Sequence, residues 1–258
     1  MSSQASLFEQ PILYEFPLQE KVRNYLRLEQ LSARLKQCCD VQGGDSFHYF
    51  TVLFNLLELV ERSDCRNDLI KDLERRLAAA EQWQSHPGVD KVALAATVKD
   101  IQQLLQALQD SVKATLALKS DKFLASLRQR FSMPGITAYF DLPQLNYWCA
   151  QPHTVKVKQR QQWAQAFEPL QQAVMMALKF LRENAELAPL TAVNGLIQGS
   201  GEGLILLRIE VPATVSAYPV VSGHKQRYTI RFINADSNAN SSSYPHTVEC
   251  RVATCQDK

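Results

Sequence analysis

Apolar residues along this chain follow two rhythms. From residue 18 to 187 they recur every three or four positions, the spacing that lines one face of a helix. After residue 188 they alternate one by one, as a half-buried strand requires. Before either rhythm, Ile12, Tyr14 and Phe16 fall on one side of a short predicted strand. Pro17 suits the first turn of a helix, because the N–H it lacks has no intrahelical partner there. That helix carries Leu18, Val22, Tyr25, Leu26 and Leu35 in one stripe, with Leu28 and Leu31 at its edge. Arg23 and Arg27 sit four apart, on one face away from the stripe's centre.

Gly43-Gly44-Asp45-Ser46 breaks the chain, and Ser46 is the expected cap of a very apolar helix bearing Phe47, Phe50, Phe54 and Leu57. His48 on that helix is expected to be partly buried and hydrogen-bonded. Asn67 is placed as the cap of a helix that runs to about Gln84 and ends at His86-Pro87-Gly88. A long amphipathic helix follows from Asp90 to Leu118, its apolar spacing too irregular for a sustained heptad. Ser120-Asp121 starts a helix over Lys122–Phe131. Asp141 is the expected cap of a short helix through Trp148, and two more helices reach about Asn184. Met175 and Met176 are read as packing residues.

In the second rhythm, Leu204–Val211, 226–232 and His246–Val252 are predicted antiparallel strands, each with one apolar face. In 226–232, Arg227, Thr229 and Arg231 point one way and Tyr228, Ile230 and Phe232 the other. Ser222-Gly223-His224-Lys225 reads as a turn that adds charge beside them. The predicted class is α+β: a mainly helical bundle domain over 18–187, and a smaller antiparallel β-strand domain made from 11–17 with 188–258. If the strands pair simply, Arg208, Arg227, Arg231 and Arg251 share a face opposed by Glu210 and Glu249. Spacing alone leaves that face evenly balanced between a salt-bridged solvated surface and a binding site.

The net charge of +2 excludes a protein that coats nucleic acid by charge alone, so any basic function is local. The six cysteines form no C-x-x-C pair, which argues against zinc or a disulfide framework and for reduced thiols in the cytosol. The N-terminus lacks the basic start and apolar run of a signal peptide, and no window is long and apolar enough for a bilayer span. The chain has no nucleophile elbow, zinc-protease helix, phosphate loop or dinucleotide fingerprint. Gly199-Ser-Gly201-Glu-Gly203 precedes a strand, so it reads as a hairpin or loop. No catalytic set, metal site or cofactor is expected. A nucleic-acid-binding module using the basic sheet face is the alternative to a protein-binding site.

Tyr14-Glu-Phe-Pro-Leu-Gln-Glu-Lys-Val-Arg23-Asn-Tyr-Leu-Arg27-Leu-Glu29, Phe131-Ser-Met-Pro-Gly135, Phe140-Asp-Leu-Pro-Gln-Leu145 and Ser222-Gly-His-Lys-Gln-Arg-Tyr-Thr-Ile-Arg-Phe232 together resemble the ZapD family of FtsZ-associated bacterial division proteins. The likeness runs in the same order from about residue 8 to 233. It implies a non-catalytic homodimer in the cytoplasm at midcell, which binds the C-terminal tail of FtsZ and cross-links FtsZ filaments into bundles, with no nucleic acid and no membrane. The resemblance implies a basic contact surface and matches it to Arg23, Arg27, Arg227 and Arg231, with Lys122 as a further basic position. His224 and Lys225 join this set from the charge beside the strand.

Overall fold

The computed structural model describes residues 10–39, 46–83, 88, 90–133, 140–224, 226–235 and 243–256. In chain order the elements are β1 (Ile12–Pro17), α1 (Glu20–Cys39), α2 (Ser46–Arg62), α3 (Cys65–Trp83), α4 (Lys91–Ser120), α5 (Lys122–Phe131), α6 (Pro143–Cys149), α7 (His153–Gln165), α8 (Glu168–Glu183), β2 (Ala188–Ala192), β3 (Leu196–Ser200), β4 (Leu204–Val211), β5 (Ala217–His224), β6 (Arg227–Asn234) and β7 (Val248–Gln256). The fold is α+β. Two compact units form, one from Met1–Arg23 with Lys179–Lys258 and the other from Asn24–Leu178.

The helical unit is built around aromatic rings. Phe50 of α2 is fully buried and lies 5.2 Å from Trp148, 5.7 Å from Trp163, 5.9 Å from Phe123 and 6.3 Å from Phe131. Edge-on and tilted contacts of this kind add to the area that each ring buries. Asp90 caps α4 by accepting from the Val92 and Ala93 N–H groups, and Asp121 caps α5 by accepting from the Leu124 N–H.

The buried positions of α4 are Ile101, Leu104, Leu108, Ser111, Thr115 and Leu118, a regular three-four alternation. That is a heptad seam. It is hidden in the sequence because two of its members are polar. Ser111 donates to the Leu108 carbonyl, while Thr115 donates within its own helix and accepts from Arg66 of α3 at 3.2 Å. Val92, in the first turn of α4 and ahead of this seam, is 82% exposed.

Several local expectations change. Pro17 ends β1 instead of opening α1, at home in a strand on the sheet's edge where no further ladder N–H is needed. Leu28 is fully buried, not peripheral, and His48 is exposed. Ser46 is the first residue of α2, and its hydroxyl accepts from Arg160. Asn67 lies inside the first turn of α3 and donates to Asp64, the residue just ahead of that turn. Leu142, not Asp141, occupies the cap position of α6, without a side-chain cap bond. Met175 is 52% exposed. The breaks at 43–45 and 86–87 lie outside the described residues.

In the β unit, one antiparallel sheet has the order β1-β4-β7-β2 and the other β3-β6-β5. Their apolar faces share one core that includes Leu207, Ile209, Val252, Tyr228, Ile230 and Phe232. The chain passes from one sheet to the other at Asn194-Gly195, both at positive φ, with Leu196 N–H bonded to the Val193 carbonyl. This is the primed-turn signature of a tight hairpin. Gly199 faces Tyr228 across β3 and β6, and a Cβ there would sit 2.4 Å from the tyrosine ring. The glycine thus makes room for a buried aromatic, and Gly199 and Ser200 are strand residues rather than loop.

Candidate functional site

The described residues contain no group of three or more side chains placed to hold a metal ion, and no helix long and apolar enough to cross a membrane. All six cysteines are free. Cys250 is buried on β7 opposite Leu190 of β2, and burial pushes its pKa up to about 11, so the thiol stays protonated at neutral pH.

The arginines of the β unit fall into two groups. Arg208 and Arg251 stand on β4 and β7 of the four-stranded sheet. Arg208 donates to Glu15 at 3.1 Å, and Arg182 donates to the same carboxylate at 2.7 and 2.9 Å. Arg251 donates to Glu210 at 3.1 Å. These are cross-strand and strand-helix salt bridges, the solvated-face arrangement. Arg227 and Arg231 stand on β6, the middle strand of the other sheet. The four guanidinium groups therefore do not form one comb, because β4 and β7 pair with each other and not with β6.

The three-stranded sheet is electrostatically one-sided. β3 is Leu-Ile-Gln-Gly-Ser, β5 is Ala-Tyr-Pro-Val-Val-Ser-Gly-His and β6 is Arg-Tyr-Thr-Ile-Arg-Phe-Ile-Asn, without one acidic residue. Arg227 and Arg231 are exposed, and no ion pair among the described residues engages either. Tyr228, Ile230 and Phe232, which alternate with them, are buried, as the alternation predicts. Four residues along a strand separate the two guanidinium roots by roughly 13 Å, from a rise of about 3.3 Å per residue.

His224 pairs with Arg227 across β5 and β6, so Ser222, Gly223 and His224 are strand and not turn; Lys225 lies outside the described residues. A Cβ at Gly223 would meet the tip of the Leu18 side chain at 2.7 Å, so that tip packs directly on the β5 backbone.

The remaining cations lie on helices. Arg23 is half-buried on α1 and paired with Glu20 one turn back, and Arg27 is exposed a turn further on. Lys122 is exposed at the start of α5, just after the Asp121 cap. Register therefore brings His224, Arg227 and Arg231 together on one sheet, and Arg23 and Arg27 together on one helix, with Lys122 on another.

Three exposed apolar side chains adjoin Arg231. The pairing Leu196–Arg231–Val220 runs straight across the sheet, and Tyr218 is two residues back along β5 on the same face. They are 39%, 45% and 40% exposed respectively for Leu196, Val220 and Tyr218. In the sequence Tyr218-Pro-Val-Val is simply an apolar run, and only the register with β6 tells its outer members from its inner ones. Tyr228 is excluded from this surface because it is buried in the core.

A family model described as ZapD, cell division protein, matches residues 26–231. The chain is 42% identical over 248 residues to the cell division protein ZapD of Idiomarina loihiensis, covering 95% of this chain and 96% of that protein. It is 40% identical over 246 residues to the ZapD of Shewanella oneidensis, covering 95% and 98%. With the ZapD of Aliivibrio fischeri it shares 35% identity over 243 residues, covering 94% and 97%.

Proposed function

Since the chain belongs to the ZapD family of cell division proteins, we propose that it is a non-catalytic cross-linker of FtsZ filaments, acting in the cytoplasm at the midcell ring. Each copy binds the C-terminal tail of FtsZ through a basic surface, and a homodimer presents two such surfaces. Arg227 and Arg231 are the centre of that surface, with His224 and Lys225 beside them, and Arg23, Arg27 and Lys122 are the further basic positions that the family resemblance assigns to tail binding.

The observation that carries this reading is the pair of exposed arginines on a sheet whose strands contain no carboxylate. On the neighbouring sheet, carboxylates satisfy the arginines internally. A planar guanidinium with no ion pair among the described residues is suited to a bidentate carboxylate from another chain. Binding is then favoured by charge and weakened by salt. Single contacts of this kind are weak, and a dimer that engages two filaments repeatedly along their length gains strength by multivalency.

Sedimentation of FtsZ polymers tests the reading. The wild type is expected to increase the polymer fraction pelleted at low speed, and a folded Arg227→Glu, Arg231→Glu variant to lose that activity. Undiminished bundling by the double variant removes these residues from the site. Substrate-dependent turnover by the protein would remove the non-catalytic assignment.

A further inference from the structure

The face that carries Arg227 and Arg231 is not uniformly basic. Its rows grade from apolar to cationic along the strands. At one end Arg231 lies between Leu196 and Val220, with Tyr218 diagonal to it. In the middle, Thr229 lies between Gln198 and Ser222, and at the other end Arg227 lies between Ser200 and His224. Cross-strand neighbours are about 4.8 Å apart, so the apolar side chains reach the stem of Arg231 and leave its head free to take a carboxylate. Three adjoining large apolar side chains, each 39–45% exposed, make one contiguous apolar patch beside Arg231.

Resting on the tail-binding reading above, we infer that Tyr218, Val220 and Leu196 are specificity determinants of that site. They select an acidic segment in which a large apolar side chain adjoins the carboxylate that pairs with Arg231. The carboxylate takes the guanidinium fork, and the apolar side chain lies against Tyr218 and Val220. A segment that is acidic but lacks the apolar neighbour gains only the charge contact. Charge also decides against a second copy as occupant of this face. Two such faces brought together would oppose arginines with no carboxylate from either sheet between them.

The test compares two probes: the FtsZ C-terminal peptide, and the same peptide with its large apolar residues changed to serine and every charge kept. Each is titrated against the full-length wild type, a Tyr218→Ser, Val220→Ser variant and the milder Val220→Thr variant, over a range of salt concentrations. Circular dichroism checks each fold.

The double variant is expected to bind the native peptide about tenfold more weakly and to keep the wild-type salt slope. It is expected to bind the serine peptide as the wild type does, and Val220→Thr to fall between. Equal affinity of wild type and both variants for the native peptide overturns the inference while leaving the basic site intact. A wild type that binds neither peptide overturns the tail-binding reading and this inference with it. Phosphatidylglycerol vesicles form the third arm: vesicle binding lost in the double variant, with peptide binding unchanged, gives the face to a lipid surface and overturns the inference.

Discussion

Arg160 of α7 is 3% exposed, donates to Ser46 at 3.0 Å and to the Cys38 carbonyl at 3.4 Å, and lies 5.2 and 5.3 Å from the ring centroids of Tyr49 and Trp148. Its own carbonyl accepts the Tyr49 hydroxyl. This guanidinium is held by rings and neutral oxygens, and its flat shape is as important as its charge. Arg160→Ala should therefore lower stability by about 3–5 kcal/mol, the range of large core truncations. Arg160→Met keeps much of the stem packing and removes a buried charge, so it should cost clearly less. Denaturant unfolding of both variants checks the order.

Nothing in the sequence marks Arg160 as buried, because it sits among polar and charged residues. Around Arg227 and Arg231, strand alternation alone made the outward direction legible. What it left open was which strands lie beside them. That depended on β4 pairing with β7, and it moved Arg208 and Arg251 to another sheet. The apolar neighbours Val220 and Leu196 were invisible for the same reason.

Among the elements, the α4 seam was illegible because Ser111 and Thr115 return their hydroxyls to their own backbone and so enter a core that a hydropathy pattern excludes. The boundaries set by aspartate caps were readable, at Asp90 for α4 and Asp121 for α5. Three helices are also tied by charge. Glu61 of α2 accepts from Arg128 of α5 at 2.7 and 2.8 Å and lies 3.5 Å from Lys119 of α4. The hydrogen bonds from Arg128, helped by both positive charges, hold the Glu61 carboxyl below the usual carboxylate range.

A carboxyl whose folded pKa is depressed contributes stability that is present above its unfolded pKa, near 4.3, and is lost as pH falls through the folded value. Glu61→Gln should therefore melt below the wild type at neutral pH, and the gap should narrow once pH drops beneath about 4. Melting curves of the two proteins from pH 3 to 7 measure this, and a gap that stays constant throughout would contradict it.

At the scale of the whole molecule, cross-linking differs from binding in how it responds to salt. Screening lengths shrink from about 10 Å at 0.1 M to about 3 Å at 1 M. A single tail contact should weaken in proportion, whereas a bundle depends on many simultaneous contacts and should come apart over a narrower range. Light scattering of FtsZ bundles is thus expected to fall more steeply with salt than peptide affinity does, and parallel curves would argue against a two-site bridge. Belonging to the ZapD family fixes the role in cell division, and long motifs in order made that legible from the sequence. The β unit has a further consequence, one of timing. β1 pairs Ile12 with Val211 and Phe16 with Leu207, so β1 leaves the ribosome long before the strand it pairs with. At about 5–20 residues per second, the roughly 200 intervening residues take on the order of 10–40 s to emerge from a ribosome. Through that interval the residues of Asn24–Leu178 can complete their own core, while the first strand waits with its ladder unpaired.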